Sequence, residues 1–134
     1  MTPDSLCLEP HPEGGFFRET WRAPSSVSTE YGERSAATAI LYLLEPGQSS
    51  AWHRVRSTEL WLWQGGGSLE LSLGGFGPCP VLARSVELGP AGQHLVLPGE
   101  WQAARPLGEA VVCGCVVVPG FDFADFELEE PHEP

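Results

Sequence analysis

Apolar and polar positions along the 134 residues alternate with a period of two far more often than they follow a helical period. The pattern predicts strands near 15–22, 36–44, 50–56, 58–64, 67–73, 80–87, 93–97, 101–105 and 109–118, each bounded by Gly, Pro or Ser. Residues 1–14 and 23–35 read as loops, and 121–128 as a short helical turn or an edge strand. No linker or internal repeat interrupts the series. Many short strands with almost no helix predict an all-β sandwich or barrel in one domain.

Two of these strands are apolar on both faces. In 36–44, Ala37, Ala39, Leu41 and Leu43 alternate with Thr38, Ile40, Tyr42 and Leu44, and 110–118 is apolar nearly throughout. Such strands are covered on both sides, by a second sheet or by another subunit. Either a central position within one chain or a homodimer satisfies this.

Composition narrows the partners. The formal charge is −11, and all seven basic residues are Arg. That excess disfavours nucleic acid and anionic membranes, both of which would repel the chain. Much of the charge lies at Asp122, Asp125, Glu127, Glu129, Glu130 and Glu133, which reads as a solvated acidic run ending in a tail at 129–134. No apolar run is long enough to span a bilayer, and no basic-then-apolar leader opens the chain, so a cytoplasmic location is the default expectation. Cys7, Cys79, Cys113 and Cys115 match no common zinc spacing. Cys113 and Cys115 share a strand face and read as buried thiols.

Chemistry concentrates between Gly47 and Gly66. His53 and Val55 lie two apart on one strand and share a face, as do Glu59, Trp61 and Trp63. A tight turn near Arg56–Ser57 would make Glu59 the start of the antiparallel neighbour. A His and a carboxylate converging inside a barrel suit a metal ion or an acid/base pair. An acid beside indole rings is poorly solvated, so its pKa should rise unless a cation holds it charged.

The spacing Gly47-x5-His53-x-Val55-x3-Glu59-x6-Gly66 resembles the first cupin motif, G-x5-H-x-H-x3-4-E-x6-G, except at Val55. The segment from Leu97 to Gln102 resembles the second, P-x-G-x2-H, with Leu97 in the Pro position, Gly99 as the Gly and Gln102 in the His position. The flanks 11–20, 38–40, 52–55, 101–105 and 119–128 are similar to the Cupin_5 branch of that superfamily, so the resemblance covers roughly 5–128. It implies a single double-stranded β-helix, or jelly roll, commonly dimeric and similar to the barrels of sugar-nucleotide epimerases and germin-like proteins.

The resemblance also implies a shell of three His and one Glu around a metal. Val55 cannot ligate and Gln102 offers only a carbonyl oxygen, leaving His53, Glu59 and Gln102 as a reduced candidate set. Leu62 stands where the branch often has His. The simplest structural role for His53 is a hydrogen bond to Glu59 that orients the strand. Candidate ligand contacts are Arg18, Thr20, Thr38, Trp61 and Gln102. Arg18 could bind a carboxylate or phosphate bidentately, or pair with Glu13. His11 reads as structural or as pocket rim, Arg54 as facing a dimer surface, and His94 as surface. Trp52, Trp61, Trp63 and Trp101 read as core. Phe121, Phe123 and Phe126 read as sealing the barrel.

Three functions remain open at this stage. One is a pocket for a small polar molecule such as a sugar or sugar nucleotide, with isomerase- or epimerase-type acid–base chemistry, His53 as base and Glu59 as its partner. The second is a metal-dependent oxygenase or isomerase. The third is a non-catalytic ligand-binding module.

Overall fold

The computed structural model describes residues 1–129. Residues 130–134 of the expected acidic tail lie outside the described residues.

The alternating segments form thirteen strands: β1 (Glu9–Pro10), β2 (Phe16–Arg22), β3 (Ser26–Thr29), β4 (Gly32–Ser35), β5 (Thr38–Leu44), β6 (His53–Val55), β7 (Thr58–Gly66), β8 (Leu69–Leu73), β9 (Arg84–Leu88), β10 (Gln93–Val96), β11 (Gln102–Pro106), β12 (Val111–Val118) and β13 (Phe126–Leu128). A six-stranded sheet runs β1-β2-β5-β12-β7-β10 and a five-stranded sheet runs β13-β6-β11-β8-β9. The chain alternates between them as it winds, which makes a double-stranded β-helix. Among the described residues no helix is long and apolar enough to cross a membrane.

Several expectations need correction. The segment 23–35 is not a loop: Val27 and Arg34 pair in a β3–β4 hairpin. The strand expected at 80–87 starts only at Arg84, because Pro78 and Pro80 hold the preceding stretch off the ladder. The alternatives at 121–128 both occur, as a 3-10 turn at Phe123–Asp125 followed by β13, which pairs with β6. The acidic run there is not simply solvated. Asp125 is buried and takes two hydrogen bonds from Arg34, at 2.8 and 2.9 Å. Glu127 pairs with Arg54 at 3.2 Å, and Asp122 caps the 3-10 turn through the Ala124 amide. Arg54 also lies over the Trp101 ring at 4.5 Å, so it is engaged within its own chain. His94 sits opposite Trp61 and is half-buried rather than a surface residue.

The inner face is filled at one end and hollow at the other. Tyr42, Leu44, Val111, Cys113, Leu69, Leu71, Leu73 and Leu88 close the filled end. On the same strands, one or two pleats along, stand Thr38, Ile40, Val117 and Glu59, which line a cavity. The outer face of the six-stranded sheet is apolar as well, with Leu41, Leu60, Leu62, Leu95, Val116 and Val118 facing away from the core.

Leu71 is fully buried between the sheets. Leu71→Ala should cost about 2–5 kcal/mol of stability, whereas Val81→Ala at an exposed position outside the sheets should cost under about 1 kcal/mol, both read by urea denaturation.

Candidate functional site

The hollow end holds a cavity of about 580 Å3, of the size that takes a small organic ligand. His53 and Glu59 both line it, but not as neighbours on adjacent strands. β6 pairs with β11 and β13, while β7 pairs with β10 and β12. The two residues therefore reach the cavity from opposite sheets, because the turn at Arg56–Ser57 crosses the barrel instead of closing a hairpin.

His53 is held by Glu13 rather than by Glu59. Its Nε2 lies 3.0 Å from Glu13 Oε2, and its Nδ1 lies 2.8 Å from the Ala51 carbonyl oxygen. Nδ1 thus meets the Ala51 carbonyl, while the Nε2 edge lies beside the carboxylate as an ion pair without hydrogen-bond alignment, and that pair favours the imidazolium. Burial alone pulls the His53 pKa down. The Glu13 carboxylate, helped by Glu59 and the Ala51 carbonyl, outweighs it and pushes the value up to about 9.

Glu13 was expected at most as a salt-bridge partner for Arg18. Instead it is buried on the cavity wall, next to both His53 and His11. Backbone geometry puts it there. The Glu13 carbonyl accepts from the Ala51 amide at 2.7 Å, and the Gly14 carbonyl accepts from the Tyr42 hydroxyl. Gly14 has φ +106°, and a Cβ there would stand 2.4 Å from the Ser49 carbonyl oxygen, so only glycine lets the turn approach this closely. His11 Nδ1 accepts from the Glu13 amide at 3.1 Å. Burial lowers the His11 pKa, and His53 adds to that against the pull of Glu13, so His11 is neutral with its proton on Nε2. The cue in the sequence was the His-Pro-Glu-Gly-Gly run, whose paired glycines allow a tight inward turn.

Glu59 is anchored from behind. Its Oε1 accepts from Gln102 Nε2 at 2.9 Å, and Gln102 Oε1 accepts from the Trp61 indole at 2.8 Å. The indole can only donate, which fixes the Gln102 amide orientation. Burial pushes the Glu59 pKa up. His53 and the Gln102 amide pull it back while Glu13 adds to the rise, leaving it at about 7. Cys115 is buried beside it, and burial raises its thiol well above the usual range, so it is a neutral neighbour.

The reduced metal set does not assemble. The Gln102 oxygen is taken by Trp61, its NH2 group faces Glu59, Val55 offers no donor, and the His53 nitrogens face Glu13 and Ala51. Among the described residues no group of three or more His, Cys, Asp or Glu side chains is placed to hold a metal ion. The donor set present does not fit the metal shell that the resemblance implied.

Of the expected ligand contacts, Thr38 lines the cavity, where its hydroxyl accepts from the Phe121 amide. Trp61 and Gln102 lie behind the wall and act through Glu59. Arg18 and Thr20 stand outside, engaged by the Leu6 and Ala39 carbonyls. Arg18 faces outward because Phe17 and Glu19 hold the inward positions of β2, opposite Tyr42 and Ile40, and the bulge between Glu19 and Trp21 then turns Arg22 inward. The inward arginine is Arg22, paired with Glu19 at 2.7 Å. Phe121, Phe123 and Phe126 line the outer cavity, with His11 in the same aromatic cluster.

The comparisons agree with this architecture. The family described as Cupin superfamily (DUF985) matches residues 3–129, and the chain belongs to it. A protein of Shewanella oneidensis is 33% identical, with a TM-score of 0.81 over 95% of this chain and 81% of that one. A hypothetical protein from Leishmania major is 29% identical, with a TM-score of 0.80 over 93% and 83% of the two chains. An uncharacterized conserved protein with a double-stranded beta-helix domain from Klebsiella pneumoniae is 19% identical, with a TM-score of 0.67 over 98% and 96%, and shares the fold. None of the curated proteins matches.

The raised pKa values fix the sign of a pH effect. The folded state keeps the His53 proton to about pH 9 while the unfolded chain loses it near 6.5, so stability is full below that range and falls as pH rises through it. Glu59, raised from 4.5 to about 7, loses stability in the same direction over its own range. Urea denaturation should show a loss between about pH 6.5 and about pH 9.5, with a ceiling of roughly 3 kcal/mol for His53, and His53→Gln should flatten it.

Proposed function

We propose that the cavity binds a small polar organic molecule and that the His53, Glu13 and Glu59 cluster moves a proton on it, as an isomerase or epimerase does. The observation that carries this is the buried His53–Glu13 pair facing a cavity that also contains Glu59. One wall holds a carboxyl group near neutrality, able to take up and return a proton at working pH. The opposite wall holds a cationic ring that can stabilise negative charge developing on a substrate oxygen. The roles first read for the pair are thereby exchanged. Glu59 is the group that accepts the proton, and His53 is the electrostatic partner.

In this reading Glu59 takes a proton from a carbon next to a carbonyl, the resulting enolate oxygen faces His53, and the proton is returned at a neighbouring position or on the other face. Each step is a proton transfer, so the donor set present supplies what the reaction needs. The lining disfavours the sugar-nucleotide form of the ligand. Glu9, Glu13, Glu19, Glu59 and Asp122 face the cavity, and Arg22, its sole arginine, is already paired, so a pyrophosphate would meet repulsion. A free sugar or related carbonyl compound fits better.

Incubation with pools of small carbonyl compounds in D2O, read by mass spectrometry, tests the chemistry. Catalysed deuterium uptake is expected for at least one compound, lowered by about 100-fold or more in Glu59→Gln and in His53→Gln. A compound that raises the melting temperature but never exchanges would instead favour the non-catalytic binding module.

We propose a homodimer formed through the apolar outer face of the six-stranded sheet. Leu41, Leu60, Leu62, Leu95 and Val116 there resemble an interface core more than a solvated face. Sedimentation velocity should find a dimer, and Leu60→Glu should shift it to monomer with the fold retained by circular dichroism.

A further inference from the structure

We infer that the ligand of this cavity carries a protonated amine. The inference rests on the proposed use of the cavity for a small molecule and specifies that molecule's charge.

Three observations converge. The first is an unsatisfied acceptor. Glu13 is more than nine-tenths buried on the cavity wall, and its Oε2 has no hydrogen-bond partner. The His53 ring stands 3.0 Å from that oxygen as an ion pair without supplying an in-line donor. A buried carboxylate oxygen lacking a donor is costly and calls for one from the ligand.

The second is the charge balance of the wall. Its two cationic groups are already neutralised, Arg22 by Glu19 at 2.7 Å and His53 by Glu13 at 3.0 Å. Arg22 also donates to the Phe121 carbonyl. Glu9, Glu59 and Asp122 remain on the lining, and the chain has no lysine to offset them. Asp122 has only a long contact to Arg34, at 3.9 Å, and Arg34 is already paired with Asp125 at 2.8 Å. A cation entering this space meets net attraction and an anion meets net repulsion.

The third is the aromatic wall. Phe17, Phe121, Phe123 and Phe126 line the same space as the carboxylates. Ring faces beside acids accept an ammonium group together with its attached carbon skeleton, since the ring quadrupole attracts the cation and the hydrocarbon packs on the rings. Neither a phosphate nor a carboxylate gains from such a wall.

The test uses matched frames that differ only in charge: glucosamine, glucose and glucose 6-phosphate, and cyclohexylamine, cyclohexanol and cyclohexanecarboxylate. Binding to the full chain is measured by calorimetry near neutral pH. At least one amine should bind, about 10-fold or more tighter than its neutral counterpart, with no binding of the anionic form. Added salt should weaken the amine and leave the neutral form unchanged. Glu13→Gln should erase most of the preference. If that variant fails to fold, Asp122→Asn at the half-exposed rim should reduce the preference by about 2- to 3-fold. Equal or tighter binding of a neutral or anionic member, or no binding by either amine, overturns the inference. If a neutral member binds equally well and Val117→Trp blocks it, the cavity reading stands and only the charge assignment falls. If an amine binds but no compound exchanges deuterium, the charge assignment stands and the proton-transfer chemistry falls.

Discussion

The contact between His53 and Glu13 is the constraint around which this barrel is arranged. Two charged groups at a buried position cost several kcal/mol each in lost hydration, and their attraction offsets that only when the remaining donors and acceptors are met. The Ala51 carbonyl meets His53 Nδ1, and the Ala51 amide holds the Glu13 backbone. One residue of the 49–51 segment thus fixes both partners. Gly14 then becomes obligatory, because the turn carrying Glu13 presses against Ser49. A loop that sequence periodicity ignores is therefore as firmly specified as any strand.

The division of the barrel follows from the same strands. Moving along β5 from Leu44 to Thr38, or along β12 from Val111 to Val117, the inward residues pass from core to cavity wall within a few pleats. Trp61 and Gln102 mark the boundary. The indole fills the core side and orients the amide, and the amide holds Glu59 at the cavity side. Close packing on one side of this plane gives the acid on the other a fixed position, as the proposed proton transfer would require.

The fold was legible because it depends on repeated, local signals. Alternation, turn residues and strand length recur over the whole chain, so an error at 23–35 or at 80–83 leaves the architecture intact. The site was legible only in part, because it depends on single events. The parity of β2, set by its pairing with β5, put Arg18 outside, and one bulge beyond it brought Arg22 to the wall. One crossover put His53 and Glu59 on different sheets, although their spacing suits a hairpin. His53 and Glu59 were found because motif spacing survives such rearrangement. Glu13 was missed as a site residue because its position is set by long-range backbone contacts with Ala51 and Tyr42, which no local period encodes.

Val55 and Gln102 have a consequence beyond the loss of ligands. In the shell that the family motifs describe, a metal ion supplies the positive charge that lets a buried glutamate stay ionised. Here the nearest positive charge to Glu13 and Glu59 is the imidazolium of His53 itself. Raising the His53 pKa is therefore part of the same arrangement that removes the other imidazoles. A ring that must remain protonated to balance two acids cannot also offer a lone pair to a metal. Burial raises the Glu59 pKa, and the one ring offsets only part of that rise, so Glu59 is left with a pKa of about 7. The site is thus built short of positive charge, and a ligand that brings such charge fits it.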